Sequence, residues 1–358
     1  MLERNPPMRR LLSSVLLLLM ALPVFAADPC PLLRTQTRSA VTAQRIAAVA
    51  CEANQHWFRP FIDADGRTYG PQIYEAENSR LADGGEAWRH VAKYWNDSGL
   101  LGSAYGRAGA SECGYAASAS YPSPACRSFI IDTPWSAAFV SWVMREAQVP
   151  GFNGSASHVN YVRDAYRSSQ PSPYTVHDPR SARPALGDLL CYVRVASRTF
   201  GFADLASLLS QSNNEGLGMH CDIVVGVNPG NSQLAYLVGG NVNQAVTLRK
   251  LRLAPNGYFA DLPIRTPGGP ECNPDQADAC NANRQDWAVL LKLKSGSELA
   301  ALPPPAPQIR SGGGMPAAPP CCTVCVVGSS VPRCPPPGTM SNPLPAVETD
   351  PSKRIPGR

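Results

Sequence analysis

Two segments that cannot contribute to a core bracket this chain and confine its fold to the residues between them. At the start, Arg4, Arg9 and Arg10 precede a largely apolar run from Leu11 to Leu22, and Val24-Phe25-Ala26 supplies the small-x-small pattern that signal peptidase accepts before Ala27. Residues 1–26 read as an export signal, with an apolar run shorter than the roughly 20 residues that span a bilayer. Cys30 lacks the small-residue context of a lipidated cysteine, so no stable membrane anchor is expected. At the other end, residues 303–358 carry Pro303-Pro304-Pro305, Gly312-Gly313-Gly314 and Pro335-Pro336-Pro337. Such a composition buries too little apolar surface to offset its ordering entropy, and a disordered tail is expected.

The body between them is expected in an oxidising compartment, periplasmic or extracellular. All twelve cysteines lie beyond the signal, an even number where disulfides persist. Proximity pairs Cys113 with Cys126, Cys272 with Cys280 and Cys30 with Cys51. Cys191 and Cys221 fall on two expected strands and are either a cross-strand disulfide or two buried thiols. Losing three arginines and one glutamate with the signal takes the formal charge from +5 to +3, too little to argue for nucleic acid or an anionic membrane. The short basic cluster Arg249-Lys250-Leu251-Arg252 reads as a solvated strand face. His56, His90 and His177 have no metal-ligand neighbours at useful spacing, and Cys322-Thr323-Val324-Cys325 in the tail is followed by no histidine. Neither metal nor cofactor is expected.

Within the body, helical signals precede strand signals. Ser39 can cap a segment carrying Val41, Ile46, Val49 and Ala50, and Glu86 to Trp95 places Trp88, Val91, Ala92 and Trp95 at helix spacing. Another helix begins near Pro134, capped by Asp132 or Thr133, with a buried stripe of Val140, Val143 and Ala147 that extends back to Ser136. Strands follow at 189–193, 221–227, 234–238, 246–253 and 287–293, with Asn228-Pro229-Gly230-Asn231 as the turn between the second and third. The expected fold is α+β, an antiparallel sheet packed against N-terminal helices. Its divisions are 27–128, a helical region with a cysteine-containing loop, and 129–302, the α+β domain.

A hairpin pairing Val227 with Leu234 sets His220 opposite Asn241 on one face. A slip of one residue would undo that meeting. Ser136 at a helix N-terminus, His220 at a strand start and Asn241 as a third polar group have the logic of an activated nucleophile, a base and its orienter, with helix-end N–H groups available for an oxyanion. Asp222, on the face of His220, is a competing orienter. Trp135 reads as core or as a cleft wall beside the nucleophile. His158 and Tyr161 read as cleft-lining residues or as part of an ordinary amphipathic helix. Ser136 itself is equally the kind of serine that satisfies its own backbone at a helix start.

The run Trp135-Ser136-Ala137-Ala138-Phe139-Val140, then Gly187-Asp188-Leu189, then His220 heading an apolar strand, then Val238-Gly239-Gly240-Asn241, resembles the papain-like cell-wall hydrolases of the NlpC and CHAP (cysteine-histidine amidohydrolase/peptidase) types. More closely, it resembles an uncharacterised family of exported bacterial domains, the 2272 type, with serine in place of the nucleophilic cysteine. The resemblance implies a papain-like fold and a hydrolase of amide bonds in peptidoglycan peptides or a related envelope substrate, with Ser136 attacking, His220 as base and Asn241 or Asp222 orienting. A hydroxyl is far less acidic than a thiol. The same scaffold therefore also suits a catalytically inactive module that binds cell wall or peptide.

Overall fold

A computed structural model describes residues 28–305 apart from 169–170, 196, 198–199, 212–213, 266–268 and 271. Residues 1–26, read as an export signal, and the Pro-rich tail beyond residue 305, with its Cys322-to-Cys325 spacing, lie outside the described residues. Nine α-helices occur among them: α1 (Cys30–Leu33), α2 (Thr42–His56), α3 (Ala87–Asp97), α4 (Ala110–Cys113), α5 (Pro124–Asp132), α6 (Ser136–Glu146), α7 (His158–Arg167), α8 (Phe202–Ser210) and α9 (Gly296–Ala300). The strands are β1 (Phe61–Ile62), β2 (Thr68–Tyr69), β3 (Tyr174–His177), β4 (Leu189–Val193), β5 (Met219–Val227), β6 (Leu234–Val242), β7 (Ala245–Arg252) and β8 (Asp286–Leu293).

These strands form one eight-stranded sheet in the order β2-β1-β7-β6-β5-β4-β8-β3. The class is mixed α+β. The expectation of a purely antiparallel sheet is corrected, because β1 runs parallel to β7 through Phe61 opposite Leu248. The region before residue 129 thus supplies two short strands as well as helices.

The sheet is buried on both faces. Cys191, Cys221, Ile223 and Val238 pack in one cluster with the helices, while Leu190, Tyr192, Val224, Leu237 and Trp287 pack in a second cluster with Phe259 and Leu262. Alternation along β5 separates the two sets. On the helical side α6 is enclosed: every residue from Ser136 to Met144 is buried. It has no solvent-facing stripe because β5 and β6 lie on one side and α2 and α3 on the others. An aromatic group fills the gap between helices, with Trp57 stacked on Trp135 at 6.0 Å, Tyr94 at 5.6 Å from Trp135, and the Trp57 indole N–H donating to Tyr94 Oη at 3.1 Å.

Four disulfides join Cys30 to Cys51, Cys113 to Cys126, Cys191 to Cys221 and Cys272 to Cys280. Of the two alternatives for Cys191 and Cys221, directly opposed in the β4–β5 ladder, the bonded one is adopted. No helix among the described residues is long and apolar enough to cross a membrane.

At Gly240 the sheet approaches α6 closely. A Cβ there would lie 2.4 Å from Phe139 Cγ and 2.5 Å from Phe139 Cβ. Neither backbone nor a core phenylalanine can yield cheaply in a packed interior, so Gly240→Ala is expected to cost about 1–3 kcal/mol. The check is a lower urea midpoint at unchanged m-value.

Candidate active site

Ser136 is the first residue of α6. The helix starts two residues after Pro134 rather than at it, and neither expected cap occupies the N-cap position, which falls to Trp135, a residue with no side-chain acceptor. The first helical hydrogen bond runs from Phe139 N to Trp135 O at 2.8 Å, which leaves the N–H groups of Ser136, Ala137 and Ala138 without intrahelical partners. Trp135 is fixed instead by Glu75 and Asn241. Its indole donates to Glu75 Oε2 at 2.9 Å. With the Asn241 amide turned so that its nitrogen faces the carboxylate, that nitrogen donates to Glu75 Oε2 at 3.0 Å and its oxygen accepts from Trp135 N at 3.2 Å. Burial raises the pKa of Glu75, against the opposing effect of the indole donor.

Asn241 therefore serves the start of α6 rather than His220. The reason lies in β6. Ile223 faces Val238 and Val224 faces Leu237, the register expected from Val227 opposite Leu234, although a bulge sets Val227 itself opposite Ala235. Beyond Gly239 the β6–β7 ladder shifts and Asn241 adopts a left-handed φ of 57°. That backbone turn carries the amide away from the position a regular strand would give it.

The partner of the Ser136 hydroxyl is His158, whose Nε2 lies 2.7 Å from Oγ. His158 opens α7, and its Nδ1 meets the hydroxyl of Tyr161 one turn on, the i, i+3 spacing of neighbours on a helix. With Ser136 donating to Nε2, Nδ1 carries the proton and donates to Tyr161. Burial first, then the nearby His220, lowers the His158 pKa well below the ordinary value, so the ring is neutral near pH 7. Burial raises the Tyr161 phenol well above its ordinary value, so it stays protonated.

No hydrogen bond joins Ser136 to His220 among the described residues. Strand parity explains it: His220 and Asp222 share the face of Val224, opposite the face that packs on α6. His220 touches the group through His158, ring centroids 5.4 Å apart, and through Tyr192 at 5.1 Å. Its Nε2 lies 2.8 Å from Asp222 Oδ1. Asp222 Oδ2 accepts from Arg249 Nε at 2.8 Å, and Arg249 Nη1 donates to Ala282 O at 2.7 Å and Asn283 Oδ1 at 2.8 Å. Arg249 is thus buried and paired, which corrects the solvated reading of the basic cluster for this residue; Arg252 does reach the surface, pairing with Asp65. Gly239 makes room for the ion pair, since a Cβ there would lie 1.9 Å from Asp222 Oδ1 and 2.9 Å from His220 Nε2.

Of the residues singled out in the sequence, Ser136, His158, Tyr161, His220 and Asp222 come together, while Trp135 and Asn241 form the adjoining support of α6. Arg249 and Glu75 were missed. An arginine within a basic cluster carries no sign of which member turns inward, and Glu75 lies in a stretch with no periodicity. The group is closed: Ser136 is 7% exposed, His158 4% and His220 1%. Trp135 is fully buried among aromatic rings and forms no open cleft wall.

A model of the bacterial family described as "Uncharacterized protein conserved in bacteria (DUF2272)" matches residues 82–293, more than half of the chain, and spans Ser136, His158, His220, Asp222 and Arg249. No curated protein and no solved structure matches.

Proposed function

The chain belongs to that bacterial family, and for this member we propose an exported, papain-like amide-bond hydrolase acting on peptidoglycan peptides or a related envelope substrate, with serine as nucleophile. The observation that carries the reading is the 2.7 Å contact between Ser136 Oγ and a neutral His158 Nε2 at an uncapped helix start. Ser136 Oγ attacks the carbonyl carbon as its proton passes to His158 Nε2. The oxyanion faces the free N–H groups of the first turn of α6. Collapse breaks the C–N bond, with the proton returned to the departing amine. Water then hydrolyses the acyl-serine by the same base. Tyr161 orients His158, while His220 and the Asp222–Arg249 ion pair stand behind it. Four disulfides are compatible with export.

Burial of Ser136 and His158 favours a second reading, a binding module that keeps this hydrogen-bond group as structure. A fluorophosphonate probe separates the two. Covalent capture at Ser136, lost in Ser136→Ala and in protein unfolded beforehand, is the expected result. Absence of labelling, with sacculus binding equal in wild type and Ser136→Ala, would replace the hydrolase by the binding module.

A further inference from the structure

On the helical side, away from Ser136, His56 converges with two residues that follow it only after β1 and β2, Asp83 and His90. His56 ends α2, Asp83 sits in the turn just before α3, and His90 lies in the first turns of α3. His90 Nε2 is 3.0 Å from Asp83 Oδ2, and His56 Nδ1 is 4.0 Å from the same oxygen; one ligand atom from each of the three falls within 4.8 Å of the other two. The turn is built to hold the carboxylate. Ala82 N donates to His56 O at 2.9 Å, Leu81 N to Gly85 O at 2.7 Å, and Gly85 N to Asp83 Oδ1 at 3.0 Å. Gly85 also keeps the imidazole edge clear, because a Cβ there would lie 2.7 Å from His90 Nε2.

We infer that His56, Asp83 and His90 bind a divalent transition-metal ion of the zinc class. Two imidazoles and one carboxylate are the ligand types such ions take, with metal–ligand bonds of about 2.0–2.2 Å that set ligand atoms about 3.3 Å apart. The Asp83–His90 pair is near that spacing, and the His56 ring, 30% exposed on its side chain, has room to close the other two. A cavity of about 260 Å³, lined also by Glu52, Lys93 and Tyr94, fronts the three ligands and leaves further coordination positions to water or a small anionic ligand. Sequence spacing concealed the set, since only the fold brings the end of α2 to the start of α3.

The test uses the full exported chain. Zn²⁺ is titrated against a chromophoric chelator, and Co²⁺ reports the ligand type by absorption. The expected result is one bound ion whose cobalt spectrum lacks thiolate charge transfer, which sets it apart from Cys321, Cys322, Cys325 and Cys334. His90→Ala and Asp83→Ala are each expected to weaken binding by at least about 100-fold, with His177→Ala unchanged. Imidazole nitrogen shifts of His56 and His90 on adding Zn²⁺ to the unaltered chain give a second readout that needs no variant. No stoichiometric binding, binding unchanged in both variants, or unshifted His56 and His90 resonances would overturn the assignment.

Discussion

His158→Ala is expected to lower turnover of a cell-wall peptide by about 10²–10⁴-fold, the usual weight of a positioned general base. Ser136→Ala should fall to a similar level, and the double variant should be little worse, because the two groups act as one unit. His220→Ala is expected to lose less at the chemical step. Among the described residues that ring makes no hydrogen bond to Ser136, and it packs against His158, which does. Initial rates of the purified chain and these four variants give the ranking. Loss in His220→Ala with full activity in His158→Ala would reverse the assignment of the base.

The same base carries a sign in pH. His158 must be neutral to accept a proton, and burial, with His220 adding to it and Asp222 opposing, keeps its pKa well below the ordinary 6.5. Activity should therefore hold as pH falls through 6.5 and decline only well below it. A rate that already halves near that ordinary value would mean that a histidine in a less buried setting does the work.

Strands β4, β5 and β6 were legible as largely apolar runs with Gly or Asn near an end, and burial on both faces makes such runs nearly continuous, while β7 and β8 keep enough apolar residues to read as strands despite the charged residues within them. Leu189–Val193 needed nothing beyond the Gly187-Asp188 start, which the structure secures with Lys292 and the Leu293 N–H on Asp188. Short separations made three cysteine pairings legible too. The serine at a helix start was readable from periodicity, but its hydrogen-bond partner was not. Alternation gives the face of a side chain relative to its own strand, and it places His220 and Asp222 together; it does not say which face receives the helix. His158 and Tyr161 were read as cleft-lining or as part of an amphipathic helix, yet only the return of α7 onto the start of α6 joins them to Ser136. Asn241 was displaced by a left-handed residue that no composition signal announces.

Asp222→Ala is expected to destabilise the fold by about 3–5 kcal/mol, the cost of leaving a buried charge without its partner. Arg249, 2% exposed, would keep its bonds to Ala282 O and Asn283 Oδ1 but lose the only carboxylate it is shown to meet, and His220 would lose its acceptor. Replacing Arg249 by methionine in the same chain should recover much of the loss, since an apolar side chain of similar length removes the stranded charge. Denaturant midpoints of the two single variants and the double variant provide the cycle; strictly additive losses would mean that the pair is not coupled. Titration offers an independent check. Burial alone would raise the Asp222 pKa, but Arg249 and then His220 outweigh it and hold it at about 2, against 3.8 for the free side chain. A depressed carboxylate contributes its stability fully above the unfolded value, so the contribution should be intact above about pH 4 and lost as pH falls toward about 2. In Asp222→Ala that part of the acid-unfolding slope should vanish.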